Sequence, residues 1–114
     1  MQRELEAGEA RGVSRFRTYV ESYLSERHLA APEHGCTVAA LGSEMSRQSD
    51  GVLEAAVGRV RALIAEVRAV LPADQPDEAA GVIVAQLVGA LQIARTLGAN
   101  AQGRRHLAAA RSFL

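Results

Sequence analysis

Residues 82–97, Val82-Ile83-Val84-Ala85-Gln86-Leu87-Val88-Gly89-Ala90-Leu91-Gln92-Ile93-Ala94-Arg95-Thr96-Leu97, decide the fold. Wound as a helix, this stretch carries apolar or small side chains around nearly its whole circumference and leaves no polar face for water. Such a helix must be covered on every side. A chain of 114 residues arranged as about five helices covers one face, and a second copy is the natural cover for the other. The expectation is an all-α antiparallel helical bundle whose last two helices form a four-helix interface in a homodimer. The run Val82–Ala94 is too short to span a bilayer and is interrupted by Gln86 and Gln92, which argues against a membrane partner.

The rest of the chain reads outward from this helix. Residues 1–10 are charged and read as an N-terminal tail or boundary, and residues 11–114 as one domain. Arg11–Arg27 forms an amphipathic helix with Val13, Phe16, Val20, Tyr23 and Leu24 on one face. A loop over His28–Gly35 follows, marked by Pro32 and Gly35. Thr37 caps a short helix to about Gln48 that turns Val38, Leu41 and Met45 inward. Ser49 or Asp50 caps the next helix, which runs to Leu71 with Leu53, Val57, Val60, Leu63, Ile64 and Val67 on its core stripe. Pro72 stops it. Asp74 or Asp77 caps the apolar helix, Gly98 ends it as a left-handed residue, and Asn100 caps a last helix carrying Leu107, Phe113 and Leu114.

Composition narrows the function classes. Hydrophobic residues make up 48% of the chain, ample for a core. Thirteen arginines balance thirteen acidic residues, and with no lysine and no basic patch nothing announces nucleic acid or an anionic membrane. One cysteine excludes an intrachain disulfide and fits a cytoplasmic location. The first residues lack the apolar stretch of a signal peptide.

Catalytic signals are scarce. There is no Gly-rich phosphate loop, no nucleophile elbow, no zinc-protease motif and no paired Glu-x-x-His, so no catalytic residue, metal or cofactor is expected. His28, His34 and Cys36 lie close together, but their spacing matches no strong ligand pattern, and solvent-exposed histidines account for them. Cys36 at a helix start is either a lowered-pKa redox sensor or a small structural hydrophobe.

Phe16, Tyr19 and Tyr23 project from one side of the first helix. Two readings stand: core packing, or one wall of an apolar pocket with polar handles. The pocket reading adds Met45, Leu63, Val67 and Gln86 as ligand-binding candidates, chosen because they are large or adaptable and lie near inward faces. On the apolar helix, Gly81, Ala85 and Gly89 recur every four residues with Val88 and Gln92 beside them. Small residues there permit close helix approach, so these five, with Ala108 and Arg111 of the last helix, are the candidate dimer interface.

The segment Gly35-Cys36-Thr37-Val38-Ala39-Ala40-Leu41-Gly42-Ser43-Glu44-Met45, followed by Arg47-Gln48 and a long amphipathic helix, resembles the regulatory half of TetR-family transcriptional repressors. The resemblance extends to the order of elements over roughly residues 10–114. It implies an effector cavity enclosed by the first helices, a small and mostly apolar effector, and a dimer formed by the last two helices. Repressors of this kind begin with a helix-turn-helix domain, which residues 1–10 do not resemble; the expectation is an excised domain or truncated relative, with operator DNA contacted only in a full-length regulator. A purely structural dimerisation module without ligand and a small helical enzyme are the alternatives.

Overall fold

The computed structural model describes residues 1–30 and 50–114. Among these residues the fold is all-α and comprises six helices: α1 (Gln2–Ala10), α2 (Arg15–Tyr23), α3 (Glu26–Ala30), α4 (Asp50–Val70), α5 (Ala79–Leu97) and α6 (Ala101–Phe113). α5 is the hub. It packs against α4, α6 and α3, while α2 rests on α4 and carries α1. The core draws Val20 and Leu24 from the α2 region, Leu63 and Val67 from α4, Leu87 and Leu91 from α5, and Leu107 from α6.

The first ten residues correct the tail expectation, because they form α1. Leu5 joins the core at 5% exposure. Gly8 sits so close to Thr18 of α2 that an added Cβ would overlap the threonine hydroxyl. The helix ends in a Schellman motif: Val13 N–H donates to the Gly8 carbonyl at 2.8 Å and Gly12 N–H to the Glu9 carbonyl at 3.0 Å, with Gly12 at φ +81° supplying the left-handed residue. The single apolar Leu5 hides this helix from a periodicity test, whereas Gly12 is its legible stop signal.

The expected single helix over Arg11–Arg27 is two helices, each with its own serine cap. Ser14 Oγ accepts from Arg17 N–H at 3.0 Å and Ser25 Oγ from His28 N–H at 3.1 Å, satisfying donors that no helical turn reaches. His28 is consequently helical and not in a loop. Two arginines from later helices bind here: Arg111 donates to the Leu24 carbonyl at the break, and Arg95 donates to the carbonyls of His28 and Leu29 at the end of α3. Cations placed on helix C-terminal carbonyls satisfy acceptors and complement the dipole. The predicted Thr37–Gln48 helix lies outside the described residues.

At the start of α5 neither Asp74 nor Asp77 caps; the N-cap position is Glu78, without a side-chain bond. The Asp77 carbonyl instead accepts from Arg68 at 3.2 Å. Gly98 has the expected positive φ, +108°, but with ψ 161° it is extended and not a left-handed helical residue. Asn100 caps as expected: its Oδ1 accepts from Gly103 N–H at 3.1 Å, and its Nδ2 also donates to the Leu97 carbonyl at 3.0 Å, joining the two helices. α6 then comes so near that a Cβ on Gly103 would overlap the Gly98 carbonyl oxygen.

α5 extends beyond the Val82–Ala94 run at both ends. Its 19 residues are long and apolar enough to cross a membrane by length and composition alone. A third of that span is nevertheless buried inside the protein, as Ala80, Val84, Leu87, Leu91 and Ala94 pack into the core.

Candidate functional site

The side chains singled out for a pocket separate into two places. Tyr19 and Tyr23, one turn apart on α2, and Leu63 on α4 meet in an open pocket of about 370 Å³ together with Ser22, Arg27, His28, Arg59 and Glu66. The tyrosine rings lie 6.4 Å apart and nearly parallel, and Tyr23 meets the His28 ring edge-on at 4.7 Å, an arrangement aromatic quadrupoles favour. His28 is fixed by its Nδ1–H, which donates to the Tyr23 carbonyl at 2.7 Å. Tyr19 and Tyr23 are both buried members of the core and wall of the pocket at once.

Phe16 and Gln86 stand elsewhere. They line a second groove, of about 420 Å³, with Leu71, Ile83 and Phe113. Val67 is sealed in the core at 0% exposure and reaches neither pocket. Met45 lies outside the described residues, as do Cys36, His34 and the Gly35–Met45 segment. Alternation of apolar faces cannot distinguish Tyr19 from Val67, since both point inward; what separates them is the gap between α2 and α4, a tertiary feature. Arg27, Arg59 and Glu66 escape a sequence reading because they look like members of solvated charged faces.

Electrostatics in the tyrosine pocket favour hydrogen-bond donors. Burial pushes the Tyr19 hydroxyl up from 10.0 to about 12, with Glu66 adding to the effect, and burial raises Tyr23 in the same direction. Both stay protonated at physiological pH. Arg59 and Glu66 approach to only 3.9 Å, with both side chains about half exposed. Arg27 pairs with Glu4 of α1 at 3.1 Å. The Glu4 carboxyl is held below its usual range by a hydrogen bond from Ser22 and next by Arg27.

The candidate interface residues fall into three groups. A methyl group added at Gly81 or Gly89 would meet nothing within 4 Å among the described residues, and Ala85 and Ala108 are exposed. Beside them Val82 and Ile93 expose 59% and 51% of their surface. Val88 packs at the edge of the core, and Gln92 Oε1 is buried without a hydrogen-bond partner among the described residues. Arg111 is committed within its chain: besides its bond to Leu24, its carbonyl accepts from Arg17 at 2.6 Å.

No cluster of three His, Cys, Asp or Glu side chains suited to a metal gathers among the described residues. No known protein family, curated protein or solved structure matches the chain.

Proposed function

We propose that this chain is an effector-binding and dimerising regulatory domain, similar in plan to the C-terminal half of a TetR-like repressor, and without catalytic activity of its own. The observation that carries the proposal is that the described residues leave an open pocket at the edge of the core and an apolar helix face outside it. One is the Tyr19–Tyr23–Leu63 pocket, of a size that suits a small molecule. The other is the outer face of α5, where Val82, Ala85 and Ile93 are exposed and Gly89 is half-buried among the described residues. An apolar face on a soluble helix favours a second copy as its cover, and α6, packed beside α5, would complete a four-helix interface.

In this reading an effector selects one arrangement of α2 against α4, and the shift reaches the dimer through α5. The resemblance in element order is looser than the sequence implied, since its first long helix corresponds to α2 and α3 separated by a capped break. DNA binding would belong to a separate domain, because zero net charge supplies little phosphate-neutralising attraction.

Sedimentation equilibrium without detergent tests the proposal. A dimer at micromolar concentration that Gly89→Arg converts to a folded monomer is the expected result. A monomeric parent, or co-flotation of the protein with lipid vesicles through α5, would overturn it. A purely structural dimer would show the first result and no thermal stabilisation by any hydrophobic small molecule.

A further inference from the structure

The pocket between α2 and α4 carries information about the charge of its ligand as well as its apolarity. Its floor is aromatic and aliphatic, from Tyr19, Tyr23 and Leu63, while its charged wall holds two guanidinium groups, Arg27 and Arg59, against one carboxylate, Glu66. Arg27 is balanced by Glu4 at 3.1 Å, so these charges cancel, and what the wall offers an acid is unspent guanidinium N–H donors. The remaining polar groups on the described wall include three hydroxyls, of Tyr19, Ser22 and Tyr23. The Ser22 proton is spent on Glu4, but the guanidinium groups only donate and the phenols, protonated at neutral pH, can donate, so an accepting polar end on the ligand is matched.

Arg59 is the group best placed to receive it. Its distance to Glu66, 3.9 Å, is too long for a charge-assisted hydrogen bond, which needs about 2.7–2.9 Å. Its planar donor fork therefore has capacity for a bidentate acid group. Arg27 spends one nitrogen on Glu4, and a guanidinium carries five N–H donors, so it can hold Glu4 and a ligand oxygen together.

We infer that the tyrosine pocket takes a small aromatic or alicyclic carboxylic acid, its ring on Tyr19, Tyr23 and Leu63 and its carboxylate on Arg59 with Arg27 in support. This rests on the effector-binding reading above. Chemically matched probes test it: naphthoate, naphthalenemethanol and naphthylmethylamine, titrated calorimetrically into the whole chain at low and moderate salt. Naphthoate should bind at least tenfold more tightly than the alcohol, the amine more weakly than the alcohol, and the acid's advantage should shrink with salt.

Arg59→Gln should erase the acid's advantage while leaving the alcohol's affinity unchanged; the half-exposed Arg59 side chain makes this variant compatible with folding, which circular dichroism checks. An alcohol or amine that binds as well as the acid, or an acid affinity unmoved by Arg59→Gln, overturns the ligand class and leaves the pocket standing. Failure of all three probes to bind overturns both the ligand class and the effector-binding reading.

Discussion

The two faces of α5 are close to each other in composition and opposite in use. The inner row, Ala80, Val84, Leu87, Leu91 and Ala94, is buried to 6% exposure or less, whereas Val82 and Ile93 on the outer row are more than half exposed. Hydrophobicity alone therefore does not place a residue in the core; the geometry of neighbouring helices does. The same contrast holds for glycines. Gly8 and Gly103 are demanded by contacts inside the chain, while a Cβ at Gly81 or Gly89 meets nothing among the described residues.

The largest effect should come from breaking the inner row. Leu91 is 1% exposed, so Leu91→Ala should cost about 2–5 kcal/mol through lost burial and a residual cavity. Ile93→Ala on the outer row should change the stability of an isolated monomer by about 0.5 kcal/mol or less. Urea denaturation at low protein concentration checks the pair, and comparable losses at both positions would abolish the distinction between the faces.

Tyr19 belongs to the core and to the pocket, and alkaline pH shows how strongly the fold holds it. Its folded pKa of about 12 lies above the ordinary 10.0, so the folded state retains the proton that the unfolded state releases. The resulting stabilisation is fully present below pH 10 and is lost as pH rises through 12, on the order of 3 kcal/mol if the whole shift is expressed. Denaturant midpoints measured between pH 9 and 12 should fall, and Tyr19→Phe should shrink the fall while leaving the part due to Tyr23. A flat profile for the parent would place the Tyr19 hydroxyl in water and remove it from the core.

The junction of the last two helices predicts a smaller loss. Asn100→Ala removes the acceptor for Gly103 N–H and the donor to the Leu97 carbonyl, which should cost about 1 kcal/mol, as loss of an N-cap does. Asn100→Asp keeps the acceptor and loses the donor, so it should recover part of the difference in a thermal melt.

What is legible in the sequence follows the range of the interaction. The all-α class, the stop at Pro72, the apolar hub helix and the Asn100 cap all rest on contacts within a few residues, and all appear in the fold. Ser14 and Ser25 are equally local signals, but a continuous apolar stripe from Val13 to Leu24 masks the short break between their helices. α1 is hidden for a different reason. Its docking depends on Gly8 meeting Thr18, a contact that no periodicity records. The candidate pocket is half legible: inward-facing positions can be counted along a helix, but whether an inward residue meets another side chain or a gap is decided by packing. Arg95 and Arg111 illustrate the limit, since nothing near them in sequence shows that they bind carbonyls more than sixty residues away.

The smallest effect is the sharpest test of the comparison. A Cβ on Gly89 would meet nothing within 4 Å among the described residues, so in a monomer Gly89→Ala should gain up to about 1 kcal/mol by helix propensity alone. In a dimer that brings two α5 helices together at Gly89, the same methyl group occupies the space that the glycine keeps open, and the gain should turn into a loss that grows with protein concentration. Denaturation of parent and variant at two concentrations a hundredfold apart separates these outcomes. Stabilisation at both concentrations would move any dimer contact away from Gly89, while a sign change between them would locate the contact on the outer face of α5, beside the exposed Val82 and Ile93.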